Sequence, residues 1–276
     1  MKKNLVLMGT LVGMLSLAPL FAGGGKDASQ GNAQAYTIEV SGSTSVTPLM
    51  ELLSAEYAKA NPNIRVNING TGSSDGIQAA NKGTSEVGMS SRELKPEEKG
   101  YGLTELIIAI DGIAVIVNPS NPMTNLTMEQ IRDIYAGNIT DWRQVGSKTG
   151  KIAVVSREPG SGTRGAFEEI IAFKDTLVHG STEFDGTGAV IAEVSRNADA
   201  IGYISLGSVN NSIKTVSVEG TPATTANVIN GSYKIARPFI VIHRTDKTAG
   251  ATKDFFNWIM TDAGQAIVKT SWISAK

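Results

Sequence analysis

The sequence predicts an α/β protein of two lobes, each a mixed, mostly parallel sheet flanked by helices. Three observations carry this. Short apolar, β-branched runs alternate with helical patterns from Tyr36 onward. Glycine-rich and hydroxyl-rich turns punctuate them, with 30 glycines in 276 residues. The apolar share is 41% against 18% charged, enough for a real core in one large domain or two lobes of ordinary size.

The elements follow in order. Tyr36–Val40 reads as a strand. Pro48–Asn61 reads as a helix with Leu49, Leu52, Leu53 and Tyr57 on one face, stopped by Asn61-Pro62. Ile64–Asn69 alternates like a strand, Asp75–Lys82 is a short helix and Val87–Ser90 a third strand. Leu103–Ile110 and Ile113–Val117 read as two strands split by Asp111-Gly112. Thr127 and Gln130 make a capping box for a helix through Tyr135. Ile152–Ser156 is a strand, Gly162–Phe173 a helix, Ala200–Ile204 and Arg237–His243 strands. Asp254–Met260 and Asp262–Thr270 close the chain as helices. There is no internal repeat and no heptad pattern. The pattern expects one lobe from 36–116 plus 207–276 and the other from 117–206, with two crossings that act as a hinge.

The N-terminus stands apart. Lys2 and Lys3 precede an uncharged run from Leu5 to Ala22, interrupted by Gly9, Gly13 and Pro19. This reads as an export signal over 1–22 rather than a membrane anchor. Leu20-Phe21-Ala22-Gly23 resembles the site at which bacterial lipoproteins are cut and acylated on cysteine, but Gly23 holds the cysteine's place. Residues 23–35 read as a flexible tether.

Composition excludes several functions. The chain has no cysteine, so it has no disulfide scaffold, thiolate metal site or cysteine nucleophile. Two histidines, His179 and His243, leave little for a metal centre. Net charge −1 and a pI near 6.2 argue against nucleic-acid binding by bulk charge. No cofactor is expected.

Four segments repeat one grammar, an apolar strand followed by glycine and hydroxyl residues. They are Ser41-Gly42-Ser43-Thr44-Ser45, Gly70-Thr71-Gly72-Ser73-Ser74, Gly88-Met89-Ser90-Ser91-Arg92, and Arg157-Glu158-Pro159-Gly160-Ser161-Gly162-Thr163-Arg164. Three of them run into a predicted helix. A helix start offers unpaired N–H groups and partial positive charge. Glycine admits close approach, and small hydroxyls add donors. Together they form an oxyanion cradle at strand ends. A single such loop is more often only an N-cap, so the argument rests on the set. Arg157 supplies a fixed cation beside the fourth loop. Arg92 and Arg164 read as solvated surface residues.

These four loops, in order and spacing, resemble the phosphate-binding proteins of bacterial ABC transporters. Thr140-Asp141-Trp142 and Gly202-Tyr203 fit the same family, and the likeness covers Tyr36 to the C-terminus. The resemblance implies a type II periplasmic-binding-protein fold, two lobes closing on inorganic phosphate, and delivery to ABC permease subunits. It implies a non-enzymatic monomer, exported to the periplasm or the outer face of the cytoplasmic membrane, touching membrane only through its partner or a lipid anchor. It assigns phosphate binding to Thr44, Ser45, Ser73, Ser91, Arg157, Ser161, Gly162 and Thr163. Longer members carry an aspartate where Ser91 stands, an acceptor for the phosphate proton. Asp75 and Asp111 are the substitutes the sequence offers.

Competing patterns are present. Gly72 to Gly76 fits G-x-S-x-G, with Ser74 and His243 as hydrolase candidates. Gly160, Gly162 and Gly165 fit a dinucleotide fingerprint, with Asp185 at the ribose position. Both read as chance matches. The alternative functions are binding of another tetrahedral oxyanion, sulfate or molybdate, and recruitment of the fold as a surface interaction protein.

Overall fold

The computed structural model describes residues 35–147, 150–173, 176–248 and 250–276. The expected signal over 1–22, and all of the tether but Ala35, lie outside the described residues. The chain begins β1 (Tyr36–Gly42), α1 (Thr47–Ala60), β2 (Ile64–Gly70), α2 (Ser73–Lys82), β3 (Val87–Ser90). It continues β4 (Leu103–Val117), β5 (Asn125–Leu126), α3 (Met128–Tyr135), β6 (Ala153–Arg157), α4 (Gly162–Ile171), β7 (Thr182–Phe184), α5 (Thr187–Arg196), β8 (Ala200–Ser205). It ends β9 (Lys214–Thr215), β10 (Ser217–Val218), α6 (Thr225–Ile229), β11 (Ala236–Arg244), α7 (Gly250–Ile259), α8 (Asp262–Val268), β12 (Ile273–Ser274).

Among the described residues one mixed sheet runs β2-β1-β3-β11-β4-β8-β6-β7. β1 is parallel to β2 and β3, and β6 is parallel to β8 and β7. β11 and β4 lie between these groups, antiparallel to their neighbours. Parallel pairing needs crossover helices, which α1, α2, α4 and α5 supply. Alternation along β11 sends Phe239 and Val241 into a core with Leu49, Leu53, Phe255 and Ile259. Ile240 and Ile242 point the other way, into a smaller cluster with Ile77, Ala80 and Leu94. A third cluster gathers Ile113–Val117, Tyr135, Trp142, Phe167, Val190, Tyr203 and Ile235.

β4 corrects the expectation of two strands. Asp111-Gly112 reads as a turn because that pair is common in hairpins. Here Asp111 is buried, accepting from Ser205 Oγ at 2.8 Å and Arg237 Nη2 at 3.2 Å, so the strand runs straight through. These partners are 94 and 126 residues away, invisible to a local reading. β4 thus passes from the Phe239 core to the Tyr203 core, and β11 returns beside it. Ile213, Val216, Val228, Tyr233 and Ile235 pack in the Tyr203 cluster. The sequence pattern does not announce β7 and α5, nor the short elements β5, β9, β10, α6 and β12.

Candidate functional site

Five loops leave the carboxyl ends of parallel strands and converge. β1 runs into Ser43, Thr44 and Ser45. Ser43 is tied down when its N–H donates to Met89 O at 2.9 Å, and it accepts from Ser45 N at 3.3 Å. β2 ends in Gly70, and the N–H groups of Thr71 and Gly72 both donate to Gly42 O, at 2.7 and 2.8 Å. That turn delivers Ser73 as the first residue of α2. β3 delivers Ser91, whose N–H donates to Ser73 Oγ at 3.1 Å. Ser43 Oγ donates to Ser91 Oγ at 2.9 Å. The three loops share one hydroxyl cluster.

β6 delivers Arg157, then the turn to α4. Ser161 is the N-cap, accepting from Arg164 N at 3.2 Å. Gly162 and Thr163 open the helix, so their N–H groups belong to its unpaired first turn. Ser45 Oγ lies 2.8 Å from Thr163 Oγ1, joining the first and fourth loops. Ser74 N donates to Gly160 O at 3.1 Å. A Cβ on Gly162 would lie 2.3 Å from Ser73 Oγ and 2.8 Å from Ser91 Oγ, so only glycine fits there.

All eight residues singled out in the sequence therefore meet in one place. Ser45, Ser73, Ser91, Arg157, Ser161, Gly162 and Thr163 are buried, and Thr44 is half-buried. Arg157 is only 1% exposed, which requires that its charge be met. Glu158 does this with a two-bond fork, Nε to Oε2 and Nη2 to Oε1, both at 2.8 Å. Nη2 also donates to Thr44 Oγ1 at 3.0 Å. Behind it, the Tyr203 hydroxyl accepts from Arg157 N at 3.3 Å and pairs with Ser156 Oγ at 2.9 Å. Burial pushes the Tyr203 phenol up to about 12, so it stays a neutral prop.

Sequence reasoning missed three participants. Ser43 carries no sequence signal apart from its loop, yet it bonds Ser91 and Met89. Glu158 follows Arg157 directly, and an acid next to an arginine in a glycine-rich loop is the signal that points to it. Thr187 went unnoticed, although Phe184-Asp185-Gly186-Thr187 repeats the strand–glycine–hydroxyl–helix grammar. Its Oγ1 lies 3.2 Å from Ser45 Oγ and 3.3 Å from Thr44 Oγ1.

Arg92 and Arg164 correct the expectation of solvated arginines. Arg92 is buried in a fork with Glu98, at 2.7 and 2.8 Å, and also donates to Ser74 Oγ at 3.1 Å. Burial opposes the Glu98 charge, but the Arg92 bonds win and hold its carboxyl below the usual range. Arg164 pairs with Glu168 and Glu183, and donates to Arg157 O at 2.8 Å. Both brace the cradle.

Ser74 is claimed by Arg92, while His243 Nδ1 pairs with Thr248 at 2.5 Å. Asp185 is exposed. Asp75 is exposed on α2, and Asp111 is taken up by Arg237 and Ser205. Among the described residues no cluster of histidines and acids could hold a metal ion.

Donors of hydroxyl, backbone and guanidinium type thus surround a point where strand ends and helix starts meet. Fold and site together define a receptor for a small oxyanion. A family model of the PBP superfamily domain matches residues 27–263. The phosphate-binding protein PstS of Borreliella burgdorferi is 30% identical over 243 residues, 84% of this chain and 87% of its own. A solved structure from Clostridium perfringens, described as a phosphate ABC transporter substrate-binding protein with bound phosphate, is 45% identical. It aligns with TM-score 0.86 over 87% of this chain and all (100%) of its own. An ABC-type phosphate transport receptor from Vibrio cholerae is 35% identical, with TM-score 0.72 over 86% of this chain and 99% of its own. The chain belongs to the PBP superfamily, in its family of bacterial phosphate-binding proteins.

Proposed function

We propose that this protein binds inorganic phosphate in the cradle and hands it to the permease of an ABC transporter. The observation that carries this is the convergence of Arg157 with the hydroxyl and N–H donors of four loops. Thr44, Ser45, Ser73, Ser91, Arg157, Ser161, Gly162 and Thr163 are the proposed ligand contacts. The proposed layout is two lobes hinged where β4 and β11 cross, the first three loops on one and the Arg157 loop on the other. Opening admits the anion and closure completes its shell. The relatives are substrate-binding receptors, and binding without catalysis is the reading here too. We place the protein outside the cytoplasmic membrane as a monomer. Among the described residues no helix is long and apolar enough to cross a membrane.

Each bond to a charged ligand nets about 1.5–3 kcal/mol. Several can supply the roughly 8 kcal/mol of a micromolar complex after association costs. The test is titration calorimetry on protein unfolded, dialysed and refolded to strip ligand. Micromolar or tighter one-to-one phosphate binding is expected, and its absence overturns the reading.

A second oxyanion is favoured by one observation. Glu158 is the carboxylate in contact with the cradle, and both its oxygens are engaged by Arg157 and by Gly186 N. A site without a free carboxylate does not repel an unprotonated dianion through like charge. Sulfate in the same titration decides this: measurable competition makes the protein a broader oxyanion receptor.

A further inference from the structure

Two helices at the cradle begin with the same backbone device. α2 starts at Ser73 after Gly72, whose φ and ψ are 103° and 151°. α5 starts at Thr187 after Gly186, at 81° and 159°. This corner of backbone space is open essentially to glycine alone. Neither glycine can cap its helix with a side chain, and no side-chain cap replaces it. In both helices the next residue is a buried hydroxyl, Ser73 at 0% and Thr187 at 5% exposure. A helix that forgoes a side-chain cap must have its first-turn N–H groups met from elsewhere, as Ser74 N is by Gly160 O and Thr187 N by Thr44 Oγ1.

The surroundings of Thr187 show what it serves. Its Oγ1 accepts from Arg157 Nη1 at 3.4 Å and lies within 3.3 Å of both Ser45 Oγ and Thr44 Oγ1. Its N–H donates to Thr44 Oγ1 at 3.3 Å. The preceding Gly186 N–H donates to Glu158 Oε2, the carboxylate that grips the other edge of Arg157. The β7–α5 loop thus holds Arg157 directly through Thr187 and indirectly through Glu158. A hydroxyl has one proton and two lone pairs. With one lone pair turned to a guanidinium, its proton is directed to an acceptor, and an oxyanion oxygen is a stronger acceptor than a neighbouring hydroxyl.

We infer that Thr187 is a ninth anion-binding residue, the counterpart of Ser73, contributing its hydroxyl to the ligand while fixing the Arg157 fork. This rests on the phosphate reading above. It makes the cradle a five-loop site, with one more donor than the four-loop grammar supplies.

The experiment compares wild type, T187V, T187A and T187S by calorimetry with inorganic phosphate and by stopped-flow dissociation. Thermal unfolding without ligand is the control for folding. Valine keeps the branched shape and removes the hydroxyl, and alanine is the second variant should valine disturb packing. The inference expects T187V or T187A to raise Kd about tenfold or more, chiefly through faster dissociation, with the unliganded protein still unfolding in one cooperative transition. T187S, which keeps the hydroxyl, should stay within about threefold of wild type on the same scale. Wild-type affinity in T187V and T187A overturns the inference and leaves the phosphate reading standing. A serine variant as weak as the valine one also overturns it, because shape rather than the hydroxyl would then matter. Failure of wild type to bind phosphate overturns the phosphate reading itself.

Discussion

Arg157 is the residue on which the cradle turns. It is fully buried, yet two of its nitrogens are spent on Glu158, which neutralises it before any ligand arrives. Removing it takes away the cation and leaves Glu158 uncompensated beside an anion site. R157A should therefore weaken phosphate binding at least about 100-fold, some 2.7 kcal/mol. R157K keeps charge but loses the planar fork, and an intermediate affinity is expected. Calorimetry checks both. Thr163 should cost less, about tenfold for T163A, since it contributes a hydroxyl and not a charge.

At the scale of elements, helix starts divide into those that hold structure and those proposed to hold ligand. α3 carries a complete capping box, with Gln130 N donating to Thr127 Oγ1 at 3.0 Å and Thr127 N to Gln130 Oε1 at 2.9 Å. T127A should lower stability by about 1 kcal/mol in urea unfolding and leave phosphate affinity untouched. α4 behaves differently toward the ligand. A Cβ on Gly162 meets Ser73 Oγ at 2.3 Å, so G162A forces the two helix starts apart. It should lower the thermal midpoint and lose most phosphate binding by calorimetry. Gly76 is different again. A Cβ there lies 2.6 Å from Gly42 Cα and from Ser41 O, which are backbone and cannot swing away. G76A should destabilise by about 1–3 kcal/mol or more and shift the thermal midpoint.

Across the whole molecule, the Asp111–Arg237 pair lies where β4 and β11 pass between the two larger cores. Both side chains are buried, and Arg237 Nε and Nη1 have no hydrogen-bond partner. Burial pushes the Asp111 carboxyl up to about 6, against the pull of Arg237 and Ser205. A carboxyl raised in the folded state above its unfolded value, near 3.9, binds protons more tightly when folded. Its contribution to stability is complete below about pH 4 and is lost as pH rises through about 6. The double variant D111N/R237M should remove that loss, on the order of 3 kcal/mol, without stranding a buried charge. Urea unfolding of both proteins between pH 4 and 7 measures it. A wild-type slope equal to the variant's would show that Asp111 does not titrate there.

Much of this protein is written locally. The strand–helix alternation gave the α/β class, because a period of two and one of 3.6 are set by backbone geometry alone. Four of the five site loops were legible because each carries its own signal, glycine for approach and hydroxyl for donation, within a few consecutive residues. Thr187 repeats that signal more faintly, one glycine and one hydroxyl after a strand of three residues, and was passed over. What local pattern does not carry is who meets whom. That Asp111 extends a strand instead of turning it depends on Arg237, 126 residues on. That Arg92 is buried depends on Glu98 folding back over it. That Ser45 meets Thr163 and Thr187 depends on strand order, which places distant carboxyl ends on one edge. The sequence by itself determined the kind of ligand, since an arginine among glycines and hydroxyls suits a small oxyanion and little else. Only the tertiary structure decided which donors share one point and which acids stay away from it. The physical reason is that the deciding contacts, Asp111 with Arg237 and Ser45 with Thr163, join residues far apart in the chain, where no local periodicity reports them.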